Sequence, residues 1–155
     1  MDRVIARNSM QANCVLELPS DLQSIERVVE YLLDRCREAG FATDRRWINL
    51  RVGVTEALAN AVLYGNRRDP RKRVRLEAWV TPESVRISVT DEGRGFDPDS
   101  VPDPTLPANI LRSGGRGLFL IRKLMDRVEF NEAGNSITMV LLREDAVPAG
   151  QERGV

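Results

Sequence analysis

The twenty-residue stretch from Trp47 to Asn66, WINLRVGVTEALANAVLYGN, leaves the chain little choice of local structure. Trp47, Leu50, Val54, Ala57, Leu58, Ala61 and Val62 recur at three- and four-residue spacing, the pattern of one buried helical face. Glu56 and Asn60 fall on the flank of that face, one turn apart. Gly53 sits on the same flank a turn earlier, where a missing side chain leaves room for something to lie against the helix. A carboxylate and a carboxamide at i and i+4 also make an ordinary helix-surface pair. Which of the two this is depends on the rest of the chain.

At 155 residues the expectation is one domain spanning 1–155, with a core over about 13–143 and both termini frayed. A chain of this length buries roughly two-thirds of its surface and folds without staples. Cationic and anionic side chains balance at 23 each, so no global field draws the protein to nucleic acid or to an anionic membrane. The densest positive run, RRDPRKR from Arg67 to Arg73, reads as a solvated loop. Cys14 and Cys36 continue a strand alternation and a helical stripe, which makes them small core residues in a reducing compartment. No apolar run approaches ~20 residues and Met1 to Asn13 is polar, so a cytoplasmic protein is expected. The sequence contains no histidine. That excludes a Ser-His-Asp triad, an imidazole base and a phosphohistidine relay, and with no close cysteine pair it argues against a metal held by side chains alone.

In chain order, residues 13–18 alternate as a first strand ended by Pro19, and Ser20 with Gln23 matches a capping box. Ile25, Val28, Val29, Leu32, Leu33 and Cys36 mark an amphipathic helix that Gly40 stops. The central helix should start near Asp44 and end around Gly65 and Asn66. Two alternating runs, Val74–Val80 and Val85–Thr90, flank the short turn TPES. Residues 91–107 form a glycine-, aspartate- and proline-rich loop, and 115–126 a second amphipathic helix. A last hairpin pairs 127–131 with 136–142. Antiparallel runs separated by helices point to an α+β two-layer sandwich, with helices on one face of a mostly antiparallel, mixed sheet.

Two further motifs carry chemistry. DEGRGFD, Asp91 to Asp97, lies where a strand ends. Gly93 and Gly95 let the backbone turn sharply and approach a flat ligand, and Asp91 offers a carboxylate to an exocyclic amine such as that of adenine. The same residues also make an ordinary turn. SGGRGLFLI, Ser113 to Ile121, leads glycines directly into a helix, where backbone N–H groups and Arg116 can hold an anion. It is also a plain hinge. Neither the GxxxxGK[ST] phosphate loop nor a Rossmann GxGxxG context is present.

Each motif is weak alone, but their order is specific. E-x-x-x-N on a helix, D-x-G-x-G-F after a hairpin and G-x-G-L opening a second helix resemble the GHKL ATP-binding family, which includes DNA gyrase, the histidine kinases and mismatch-repair ATPases. The resemblance runs from about residue 13 to 143, and VTEALANAVLYGN is most similar to the bacterial anti-sigma-factor serine kinases. It implies ATP and Mg²⁺ as cofactors. Asn60 matches the asparagine that binds Mg²⁺, Glu56 the general base, and Asp91 the adenine-reading carboxylate with Gly93 and Gly95 beneath the base. Gly115 and Gly117 match the phosphate-holding glycines, Arg116 adds charge beside them, and Arg112 and Ser113 belong to a lid closing over the nucleotide. Two positions depart from the pattern. Tyr64-Gly65 replaces a frequent His-Gly, and Gly134-Asn135 a frequent Gly-Thr, leaving Asn135, Ser136 or Thr138 as substitutes for the threonine contact.

The function implied is an anti-sigma factor that phosphorylates a STAS-type anti-anti-sigma protein on serine or threonine. Its partners would be that antagonist and a sigma factor, without direct nucleic-acid or membrane binding. Relatives of this type are commonly dimers, so the resemblance allows a homodimer. The rival reading is an ATP-dependent partner switch without phosphoryl transfer. A carboxylate at Glu56 argues against it, since a pure binder needs no base there.

Overall fold

The computed structural model describes residues 13–41, 46–100 and 116–143. Strands β1 (Cys14–Pro19), β2 (Arg73–Val80), β3 (Ser84–Thr90), β4 (Arg127–Phe130) and β5 (Ser136–Leu142) form one sheet in the spatial order β1-β2-β3-β5-β4. Every pairing among them is antiparallel, the limiting case of the mostly antiparallel sheet expected. The helices are α1 (Gln23–Glu38), α2 (Arg46–Asn60) and α3 (Arg116–Leu124); a π-helical turn, Ala61–Gly65, prolongs α2, and a short 3-10 turn spans Pro98–Ser100. None of these helices is long and apolar enough to cross a membrane.

The period-two pattern sets the register. Leu76 faces Val89 and Val89 faces Ile137, while Ala78 faces Ile87 and Ile87 faces Met139. Those residues are buried, and their neighbours along each strand stay partly or fully exposed, so one side of the sheet is apolar. The other side carries hydroxyl pairs instead, with Ser88 and Thr138 at 2.7 Å and Thr90 and Ser136 at 2.7 Å. On the apolar side lie Val29, Leu32 and Leu33 of α1, Leu50, Val54 and Leu58 of α2, and Ile121 of α3. Each such side chain, fully withdrawn from water, stabilises the fold by roughly 1.5–3 kcal/mol before chain entropy is subtracted. The helices therefore form a second layer over one face of the sheet.

Local details follow the sequence with two exceptions. Gly40 ends α1 at φ +82°, with its N–H donating to Arg37 O at 3.0 Å and the Phe41 N–H to Cys36 O at 3.0 Å. The Ser20 capping box does not form. The Ser20 hydroxyl donates instead to Lys72 O at 2.6 Å, and Asp21 Oδ1 takes the Ser24 N–H at 2.8 Å. Two cap-forming residues stand side by side there, and the buried tertiary bond draws Ser20 away from the helix. Gly53 does leave room, and the occupant is internal: the thioether of Met125 fills the space a Cβ would take. Cys14 and Cys36 are free and buried, and burial pushes the Cys14 thiol up and the Cys36 thiol up to about 12. The helix start near Asp44, the loop beyond Ser100 and both termini lie outside the described residues.

Candidate functional site

On α2, Glu56 and Asn60 stack one turn apart, as their spacing requires. The first turn of α3 crosses directly above them. A Cβ added to Gly117 would lie 2.7 Å from Glu56 Oε2 and 3.2 Å from Asn60 Nδ2, so any larger residue here would have to push the Glu56 carboxylate aside. Glu56, Asn60 and Gly117 thus converge at one end of the site.

The other end is built where α2 widens. The Asn66 N–H donates to Ala61 O at 2.8 Å, closing a π turn that ends on Gly65. A side chain on Gly65 would run into the carboxylate of Asp91, with Oδ1 at 2.7 Å. Gly93 in turn presents its bare face to the Gly65 carbonyl. Asp91 is held from the sheet side by Asn135. Its N–H donates to Asn135 O at 2.9 Å, and its carbonyl accepts from Asn135 Nδ2 at 3.1 Å. Within the turn, Asp91 Oδ1 accepts the Gly93 N–H at 2.8 Å. Burial raises the Asp91 pKa, opposed by that N–H and by the nearby Lys72 ammonium. The loop beyond is latched to the β4–β5 turn. Gly95 and Gly134 take φ of +80° and +76°, and the Phe96 and Phe130 rings meet edge to face at 5.4 Å.

Between these ends lies a cavity of about 480 Å³, the size range of small-molecule and cofactor sites. Ala57, Ala61, Val89 and Ile137 give it apolar walls, and Asn60, Asp91, Gly93 and Gly95 supply polar and backbone contacts. Tyr64, Arg67, Lys72 and Arg94 also line it. One carboxylate set among apolar walls suits the edge of a flat heterocycle, and a carboxamide beside a second carboxylate suits its charged end. Residues 18–141 match the model of the histidine kinase-like ATPase domain. The chain belongs to that family.

Among individual relatives of this family member are proteins called serine-protein kinase RsbW. That of Oceanobacillus iheyensis is 33% identical over 54% of this chain and 56% of its own length. The Staphylococcus epidermidis protein is 30% identical over 66% of this chain and 70% of its own. The Listeria monocytogenes protein is 27% identical over 84% and 87%. The match to the first therefore spans little more than half of that relative.

The residues singled out in the sequence distribute unevenly. Asn60, Asp91, Gly93 and Gly95 line the cavity. Glu56 and Gly117 meet each other at its end and are not among its lining residues. Arg116 is exposed at the start of α3. Arg112, Ser113 and Gly115 lie outside the described residues. Of the three substitutes for the threonine contact, Asn135 and Ser136 line the cavity and Thr138 does not. Ser136 and Thr138 already pair with Thr90 and Ser88, and Asn135 Oδ1 accepts from Asn131 Nδ2 at 2.7 Å.

Sequence reasoning missed Lys72, absorbed into a run taken for a solvated loop, and Asn66, taken only as the end of a helix. The signal for Asn66 was its place directly after a glycine at a helix end and ahead of the Asp91 turn. The described residues hold no cluster of three or more side chains able to cage a metal. Mg²⁺ needs none, because it keeps water and phosphate ligands and takes one or two protein oxygens. Asn60 Oδ1 beside Glu56 fits that requirement.

Proposed function

We propose that this protein binds ATP with Mg²⁺ and transfers the γ-phosphoryl group to a serine or threonine of a STAS-domain anti-anti-sigma protein, holding a sigma factor when that antagonist is phosphorylated. The observation that carries the reading is the two-ended site, with Asp91 at one end and Glu56, Asn60 and Gly117 converging at the other. The relatives' shared name, serine-protein kinase, supports the same reaction class.

Asp91 accepts a hydrogen bond from the adenine amine, while Ala61, Val89 and Ile137 cover the base. Asn60 offers its carboxamide oxygen to Mg²⁺, and Mg²⁺ when bound neutralises charge on the triphosphate. The backbone N–H groups of Gly115 and Gly117, with Arg116 beside them, hold phosphate oxygens, and Arg112 and Ser113 close over them. Glu56 takes the proton of the incoming hydroxyl. As the new O–P bond forms, the bond from the γ-phosphorus to its bridging oxygen breaks, ADP leaves, and the proton passes from Glu56 to solvent. Phosphorylation adds roughly −1.5 to −2 charge to the antagonist at the interface, which releases it and frees the kinase for the sigma factor.

Radiolabelled ATP offered with STAS-domain proteins of the same cell tests this directly. Label should appear on a serine or threonine of one of them. Absence of transfer, together with a sigma factor held only when nucleotide is present, would replace the kinase reading by a partner switch without chemistry.

A further inference from the structure

Among the described residues only two polar residues are buried as a whole, Asn66 at 1% exposure and Ser20 at 5%, and they are bonded to each other. Asn66 does not line the cavity. A carboxamide withdrawn from water is destabilising unless its donors and acceptor are paired. Here they are. Asn66 Nδ2 donates to Ser20 Oγ at 3.0 Å and to Arg73 O at 3.0 Å, and Asn66 Oδ1 accepts the Glu92 N–H at 2.8 Å.

The last of these bonds differs in kind from the other supports of the Asp91 turn. Asn135 holds Asp91 from the turn just before β5, and the Arg73 N–H holds the Glu92 carboxylate from β2, so both fix the turn to the sheet side. Asn66 fixes it to the helix. Its backbone N–H closes the π turn on Ala61 O, within the same segment whose preceding turn carries Asn60. The Glu92 N–H belongs to the peptide immediately after Asp91. One residue therefore couples the segment that carries Asn60, through its π turn, to the carboxylate at the other end of the cavity.

We infer that Asn66 is a positioning residue for base recognition, holding the Asp91–Glu92 peptide against the end of α2 so that the Asp91 carboxylate meets the amine of the base. The inference rests on the nucleotide reading above. It assigns Asn66 no contact with the ligand. Its effect is confined to what Asp91 does: the depth and angle at which that carboxylate faces the cavity.

The experiment compares ATP with purine riboside triphosphate, which lacks the exocyclic amine, by calorimetry on the full chain. The unmodified protein should prefer ATP by about 10- to 100-fold, the range for one hydrogen bond to a charged group. In Asn66→Ala that preference should fall below about threefold, with the affinity for purine riboside triphosphate kept within about threefold. Ser20→Ala and Asn66→Asp also loosen the buried network, but both keep an acceptor for the Glu92 N–H. They should lower the melting temperature and keep the preference for ATP. Equal loss of both nucleotides in Asn66→Ala, or an unchanged preference, would overturn the inference. If Asn66→Ala does not fold, Asn66→Asp decides: a retained preference supports the inference and a lost one overturns it. An unmodified protein that binds neither nucleotide would overturn the nucleotide reading itself, and this inference with it.

Discussion

The bare face of Gly65 is pressed against the carboxylate of Asp91, with the site of a missing Cβ 2.7 Å from Asp91 Oδ1 and closer still to the rest of the carboxyl group. The end of one helix and the cavity-lining acid that follows β3 are thus a single fitted contact. Gly65→Ala must move that carboxylate. ATP affinity should fall by roughly 1.5–3 kcal/mol, the contribution of one hydrogen bond to a charged group. In an Asp91→Ala background the same glycine substitution should have little further effect, because the clash is gone. Calorimetry on the four proteins measures both, and additive losses would show that Gly65 acts elsewhere.

A second expectation concerns the anchor of α3. Asp126 Oδ2 accepts from Arg46 Nη1 at 3.2 Å and from the Leu142 N–H at 2.7 Å, with side-chain exposures of 12% for Arg46 and 6% for Asp126. The Asn49 side chain adds a bond to Leu124 O at 3.1 Å. Together they fasten the α3–β4 junction to the start of α2. Asp126→Ala strands a nearly buried guanidinium and a strand N–H, and should destabilise the fold by about 3 kcal/mol. Urea unfolding followed by circular dichroism checks this. A change under about 1 kcal/mol would mean that water replaces the lost partner.

Much of this architecture was legible in residue spacing. Strand registers follow from alternation in runs such as Val74–Val80, where a one-residue slip would turn every apolar side chain to water. The α2 stripe was equally plain. Asn60, Asp91, Gly93 and Gly95, which line the cavity, could be singled out because an i, i+4 helix pair, glycines and a strand-ending acid leave a pattern. What spacing could not reveal were contacts between distant segments. Ser20 looks like a cap until Lys72 O is placed beside it, and Gly53 looks like an opening until Met125 fills it. Asn66 has no periodicity at all, and its three partners come from three other parts of the chain.

Acidity provides a third test. Burial raises the Asp91 pKa above its ordinary 3.8, so the proton is bound more readily in the folded protein than in the unfolded chain. For the unliganded protein the sign is unfavourable at neutral pH: the contribution of this group to stability is present below the unfolded value and lost as pH rises through the folded one. Asp91→Asn should therefore raise the melting temperature at pH 7 while weakening ATP binding. Base recognition runs the opposite way, because only the carboxylate accepts the amine well. The preference for ATP over purine riboside triphosphate should decline on acidification, starting above the window of an ordinary aspartate. The ratio cancels titration of the phosphates, which both ligands share. A ratio flat down to about pH 4 would contradict the assignment of Asp91.

The last prediction separates chemistry from binding at Glu56 and Asn60. The two side chains are one turn apart and both face Gly117, yet their proposed tasks differ. Glu56→Gln keeps the size of the side chain and its fit under α3 but cannot take a proton from a hydroxyl. ATP affinity should survive nearly intact, since Asn60, Asp91 and the cavity walls are untouched. Phosphoryl transfer should fall by about 10²–10⁴-fold, the usual contribution of general acid–base catalysis. Asn60→Ala removes the oxygen offered to Mg²⁺, so binding and transfer should weaken together, and the Mg²⁺ dependence of ATP affinity should flatten. Single-turnover transfer of labelled phosphate to the STAS partner, run beside calorimetry with and without Mg²⁺, reads all of these. Because Glu56 lies against Gly117 rather than in the cavity wall, the same data decide whether it reaches the reacting hydroxyl. Transfer at the unmodified rate in Glu56→Gln would make it a packing residue beneath α3 and move the search for the base to another carboxylate.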